Sequence, residues 1–136
     1  MIDEIFSRLL DYAAIYDIEV GFEDRLSPNT PCTADSKTRR ILINLNWHIP
    51  RQLPFQLAHE ITHILNGDSN LLYFTPSKTG IEGDANSGAI CLLVPMYFEN
   101  VDPSLARVDE FMSFFAISPN MRDICSGAIK GFYNAK

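Results

Sequence analysis

Residues 55–67 read Phe55-Gln56-Leu57-Ala58-His59-Glu60-Ile61-Thr62-His63-Ile64-Leu65-Asn66-Gly67, and the architecture turns on what this stretch is. Its apolar residues flank a His-Glu-x-x-His core on both sides, and no glycine or proline falls between Phe55 and Asn66. A helix is the expected form. On a helix His59 and His63, four residues apart, stack on one face. Two imidazoles so placed can grip one small cation, and zinc takes neutral imidazole nitrogen at about 2.0–2.1 Å in tetrahedral sites. Glu60 is turned by about 100° from His59. Its carboxylate therefore stands beside the metal without having to bind it, where a general base for a metal-activated water is needed. The competing reading is an amphipathic helix with ordinary histidines. Phe55, Leu57, Ile61, Ile64 and Leu65 weigh against it, because imidazoles bordered by so much apolar surface need partners.

Two histidines leave a site incomplete, since a catalytic zinc takes three protein ligands and keeps one position open. The remaining histidine, His48, precedes the helix and is expected to point elsewhere. Glu82 is better placed. Residues 80–94 regain helical spacing through Ile81, Ala85, Ala89, Leu92 and Leu93. On that helix Glu82, Ala85, Asn86 and Ala89 share a face, so a carboxylate and an amide turn inward with the small residues. A carboxylate there needs a strong partner, and a metal on the neighbouring helix is one. Asn86, one turn on, is positioned to hold the second nitrogen of a ligand histidine. Asp84, rotated about 200° from Glu82, is expected in solvent.

Towards the N-terminus, Ile2, Ile5, Phe6, Leu9, Leu10, Ala13 and Tyr16 mark an amphipathic helix over 2–16. Ile18, Val20 and Phe22 alternate with polar residues and predict a strand. Residues 24–31 are a proline-containing loop. Cys32-Thr33-Ala34 opens a hairpin across Asp35-Ser36-Lys37 into a strand over 40–46, and the basic run Lys37-Thr38-Arg39-Arg40 is its turn. Pro50 and Pro54 each suit a first turn, which predicts a short turn at 50–53 and the main helix over 54–66, with Gly67 closing it. Residues 68–79 form an apolar loop, or a short strand along a cleft, carrying Leu71, Leu72, Tyr73 and Phe74. Pro95 is expected to end the helix over 80–94. Asp102-Pro103 starts a helix to about Phe115 that buries Leu105, and Ser118-Pro119 starts the last one.

The chain is 136 residues long with 46% apolar residues, which suits one domain spanning 1–136. No apolar run approaches the roughly 20 residues of a membrane span, and the N-terminus lacks the basic start of a secretory signal. Three cysteines, Cys32, Cys91 and Cys125, form no close pair, so a reduced, cytoplasmic protein is expected. A net charge of −6 disfavours direct nucleic-acid binding. The last two helices have a faint helix-turn-helix look, but the second offers only Arg122 and Lys130 as cations.

The His59-Glu60-x-x-His63 element, followed by Glu82-Gly83-Asp84-Ala85-Asn86 and Leu92-Leu93-Val94-Pro95, resembles the ImmA/IrrE family of zinc metallopeptidases. The family pattern is H-E-x-x-H, a loop, then E-x-E-A-N-x-F-A-x-x-L-L-M-P, and the likeness covers roughly residues 40–95. It implies a gluzincin-like site with one zinc on His59, His63 and Glu82, and with Glu60 as the catalytic carboxylate. It also implies a protein substrate, a helix-turn-helix repressor of phage type. Two positions depart from the pattern. Gly88 stands where the family has phenylalanine, and Thr62 where it commonly has glycine. Manganese or iron in place of zinc is not distinguished by these residues. Tyr73 is a candidate donor to the oxyanion.

The expected fold is α+β, a small, mostly antiparallel sheet packed with the site helix and several others. The expected function is a zinc-dependent metalloendopeptidase acting on a DNA-binding repressor as an anti-repressor. The alternative is a metal-stabilised module that sequesters a repressor without cutting it.

Overall fold

A computed structural model describes residues 2–69 and 71–135, and of Ile2 only the backbone. The expected place of Ile2 in the first apolar stripe and of Asn70 in the loop lie outside the described residues. The elements in order are α1 (Ile2–Ile15), β1 (Glu19–Glu23), β2 (Thr33–Asp35), β3 (Arg40–Asn44), α2 (Leu53–Leu65), β4 (Leu71–Tyr73), α3 (Gly80–Phe98), α4 (Val108–Phe114) and α5 (Arg122–Asn134). The fold is α+β with a mixed sheet ordered β1-β3-β2-β4. β2 runs antiparallel to both β3 and β4, with Ala34 opposite Ile41 and Leu72. β1 lies parallel to β3, Val20 opposite Ile41. The hairpin turn after β2 closes with Arg39 in the left-handed region at φ 56°.

α2 is the centre of the molecule. Every residue from Leu53 to Ile64 is buried, because α1, α3 and the inner face of the sheet pack around it. A helix covered on all sides must satisfy its polar side chains internally. Gln56 does so by accepting from the Cys32 N–H at 3.1 Å and donating to Gln52 Oε1 at 3.0 Å. Gln52 in turn donates to the Ala116 carbonyl at 2.9 Å. These bonds lock the start of α2 to the residue before β2 and to the turn between α4 and α5. On the far side, Phe98, Phe111 and Phe115 are fully buried together, each contributing about 1.5–3 kcal/mol of hydrophobic stabilisation.

Three expectations are corrected. α3 does not stop at Pro95 but continues to Phe98 with the proline inside it. The missing N–H costs one helical bond near the helix end, and the burial of Leu93, Val94 and Phe98 outweighs it. Asp102-Pro103 caps only a 3₁₀ turn, Pro103–Leu105, with Asp102 accepting from the Ser104 N–H; α4 begins at Val108 and Leu105 is 64% exposed. Ser118-Pro119 likewise opens a 3₁₀ turn before α5. The same N-terminal signal serves both helix types. Among the described residues no helix is long and apolar enough to cross a membrane.

Candidate metal centre

α2 delivers His59 and His63 to one point, with their Nε2 atoms 3.1 Å apart. α3 brings Glu82 against them. Its Oε1 lies 2.9 Å from His59 Nε2 and 3.2 Å from His63 Nε2. Both rings are fully buried.

The far nitrogens fix the tautomers. Asn86 Nδ2 faces the Ser77 carbonyl, which can only accept, so Asn86 Oδ1 must be the atom turned to His59 Nδ1 at 2.8 Å. His59 Nδ1 therefore donates. His63 Nδ1 donates to Asp68 Oδ2 at 2.9 Å. The two Nε2 atoms face each other and a carboxylate oxygen. Burial, and after it the neighbouring His63, pulls the His59 pKa down to about 4 against the opposing effect of Glu82, so this ring is neutral at pH 7. Two imidazole nitrogens and a carboxylate oxygen converge within 3.2 Å of one another, a donor set that suits a cation.

Glu60 sits beside this set, not in it. Its Oε1 is 4.0 Å from His59 Nε2. Burial, followed by the charge of Glu82, raises its pKa well above the ordinary carboxylate value. Neither oxygen has a hydrogen-bond partner in the protein, although both are buried. Two triads can be drawn here, the fully buried His59-Glu60-His63 and His59-His63-Glu82, whose carboxylate is partly exposed. Direct contact of Glu82 with both Nε2 atoms, against 4.0 Å for Glu60, favours the second as the ligand set.

The model of the IrrE N-terminal-like domain, of the M78 peptidases, matches residues 14–122. The chain belongs to the ImmA/IrrE family. No curated protein and no solved structure gives a significant match. Membership brings a metallopeptidase-type function and a protein substrate.

Of the residues singled out by sequence in this ImmA/IrrE chain, the structure gathers His59, Glu60, His63 and Asn86, all buried, with the partly exposed Glu82 in one cluster. Asp84 is exposed, as its rotation demanded. His48 instead bonds the Pro28 carbonyl. Tyr73 stands apart. In β4 it shares a face with exposed Leu71 and is itself 50% exposed, while Phe74 turns inward onto His59 at a ring separation of 5.0 Å. Asp68 was not found from sequence. It arrives through the end of α2, where Gly67 at φ 69° lets the Gly67 N–H bond the Ile64 carbonyl and the Asp68 N–H bond that of His63. This Schellman turn folds the next residue back over the last helical turn. The signal was a carboxylate directly after the closing glycine.

Proposed function

We propose that the chain is a zinc-dependent endopeptidase that cleaves a helix-turn-helix repressor. The observation that supports it most directly is the convergence of His59 Nε2, His63 Nε2 and Glu82 Oε1 within 3.2 Å of one another. His59, His63 and Glu82 would hold the metal, with Asn86 and Asp68 fixing the two rings. Zinc bound there supplies Lewis-acid polarisation of a peptide carbonyl and acidifies water.

Glu60 supplies the proton transfers. Its carboxylate lies next to the ligand set, free of hydrogen bonds and with a raised pKa, which suits a group that takes a proton from water and later gives it to the leaving amine. The repressor substrate follows from the family resemblance, and the net charge of −6 suits docking on a basic DNA-binding protein rather than on DNA. Such a substrate also fits action in the cytoplasm.

Elemental analysis of purified wild type and Glu82→Ala tests the site, with one zinc per chain expected in the first and loss in the second. Incubation with a phage-type repressor tests the chemistry. Wild type cuts it and zinc-loaded Glu60→Gln does not. A Glu60→Gln chain that still relieves repression with the repressor intact would replace the peptidase by a sequestering module.

A further inference from the structure

The two positions at which the motifs depart from the family pattern touch each other. A Cβ added at Gly88 of α3 would lie 2.3 Å from Thr62 Cγ2, 2.8 Å from Thr62 Oγ1 and 3.1 Å from Thr62 Cβ. Rotation of Thr62 does not relieve this. Two of the three positions on its Cβ face Gly88, and threonine carries two heavy atoms, so every staggered rotamer leaves at least one of them in the way. The hydroxyl also donates to the Ala58 carbonyl at 2.9 Å, which favours the present rotamer. The family pattern has its small residue on the α2 side and its large one on α3. Here the two have exchanged.

We infer that Gly88 and Thr62 are a matched pair of positioning residues, whose contact sets the distance of α3 from α2 and so holds Glu82 and Asn86 against the histidines. This rests on the metal-site reading proposed above. The geometry is a lever. Glu82, Asn86 and Gly88 belong to one helix, Glu82 lying about 9 Å along the axis from Gly88. His59 and His63 belong to the other, with Thr62 directly before His63. A methyl at 88 cannot be absorbed in a close-packed interface without moving one helix. That shift draws Glu82 Oε1 from the two Nε2 atoms and Asn86 Oδ1 from His59.

Zinc affinity, measured by competition with a chromophoric chelator, tests the pair in four chains: wild type, Gly88→Ala, Thr62→Gly and the exchange variant carrying both. Melts in excess chelator report folding separately. Gly88→Ala is expected to bind zinc about 10–100-fold more weakly. Thr62→Gly, which leaves α3 without its stop, is weakened by a smaller factor. The exchange variant returns to within about threefold of wild type, a rescue that independent effects cannot give. Unchanged affinity in Gly88→Ala overturns the inference, and so does an exchange variant no tighter than the weaker single variant. Should Gly88→Ala not fold, the comparison of Thr62→Gly with the exchange variant decides in the same sense. A wild-type chain that takes up no zinc sinks the metal reading and this inference together, an outcome distinct from either of the others.

Discussion

Asp68 Oδ2 lies 2.9 Å from His63 Nδ1, across the Schellman turn that ends α2. The bond is the counterpart of that between Asn86 and His59, so each imidazole is oriented by an acceptor on its far nitrogen. A charged acceptor also makes the ring a better donor to a metal. Asp68→Ala is therefore expected to weaken zinc binding about 10–100-fold while the chain still folds. Asp68→Asn, whose amide oxygen can still accept, falls between the two. Chelator competition measures both, and equal affinity in Asp68→Ala and wild type would show that the Schellman turn alone orients His63.

Asn86 has two tasks. Its oxygen accepts from His59 and its amide donates to the Ser77 carbonyl, tying the segment before α3 to the site. Asn86→Ala leaves a buried imidazole N–H and a backbone carbonyl without partners, a loss of about 1–3 kcal/mol. Urea unfolding in chelator should show that loss in the metal-free protein, where Asp68→Ala, at a partly exposed position, shows less. A metal-free Asn86→Ala chain as stable as wild type would mean that the carbonyl and the ring had found other partners.

The legible parts of this molecule are those with a short-range period. The four-residue spacing of His59 and His63, and the inward face shared by Glu82, Ala85, Asn86 and Ala89, follow from helical geometry alone. The structure puts both faces together because α3 is among the elements that pack around the fully buried α2. Asp68 was hidden because the turn that delivers it is a backbone event at Gly67. Parallel pairing of β1 with β3 was hidden because it joins strands separated by the whole of β2 and its loop. Pro95 misled for a related reason. Local rules predict a stop there, and only the burial of Leu93, Val94 and Phe98 carries the helix past it. The contact of Gly88 with Thr62 could not be read at all, since each residue taken singly looks like a weakening of its motif.

The three thiols should separate by accessibility. Cys91 is exposed, whereas Cys32 and Cys125 are buried. Burial pushes each buried thiol up to about 12, Cys32 despite the Asn44 N–H that lowers it. Iodoacetamide at pH 8 should label one thiol in the native chain and all three in denaturant, as counted by intact mass. The same shifts give a pH dependence. A thiol whose pKa is higher folded than unfolded favours the fold fully below about pH 9 and loses that contribution as pH rises towards 12. Stability measured from pH 8 to 11 should fall, and less steeply in Cys125→Ser once its lower starting stability is subtracted. A flat profile in the wild type would mean that both thiols ionise as readily folded as unfolded.

Metal removal separates the roles of the two carboxylates. A ligand that binds only the folded chain adds about 2.7 kcal/mol at a hundredfold excess over its Kd. In a chain of this size that raises Tm by about 10 °C, a shift that EDTA should abolish. Glu82→Ala loses most of the shift, because the carboxylate that touches both Nε2 atoms is gone. Glu60→Gln keeps it, because Glu60 stands 4.0 Å away and only its chemistry is removed. Its metal-free form should also melt no lower than metal-free wild type, since an amide is easier to bury than a carboxylate that has no partner. The opposite pattern, a zinc shift lost in Glu60→Gln and kept in Glu82→Ala, would make Glu60 the third ligand and leave the peptidase chemistry without its base.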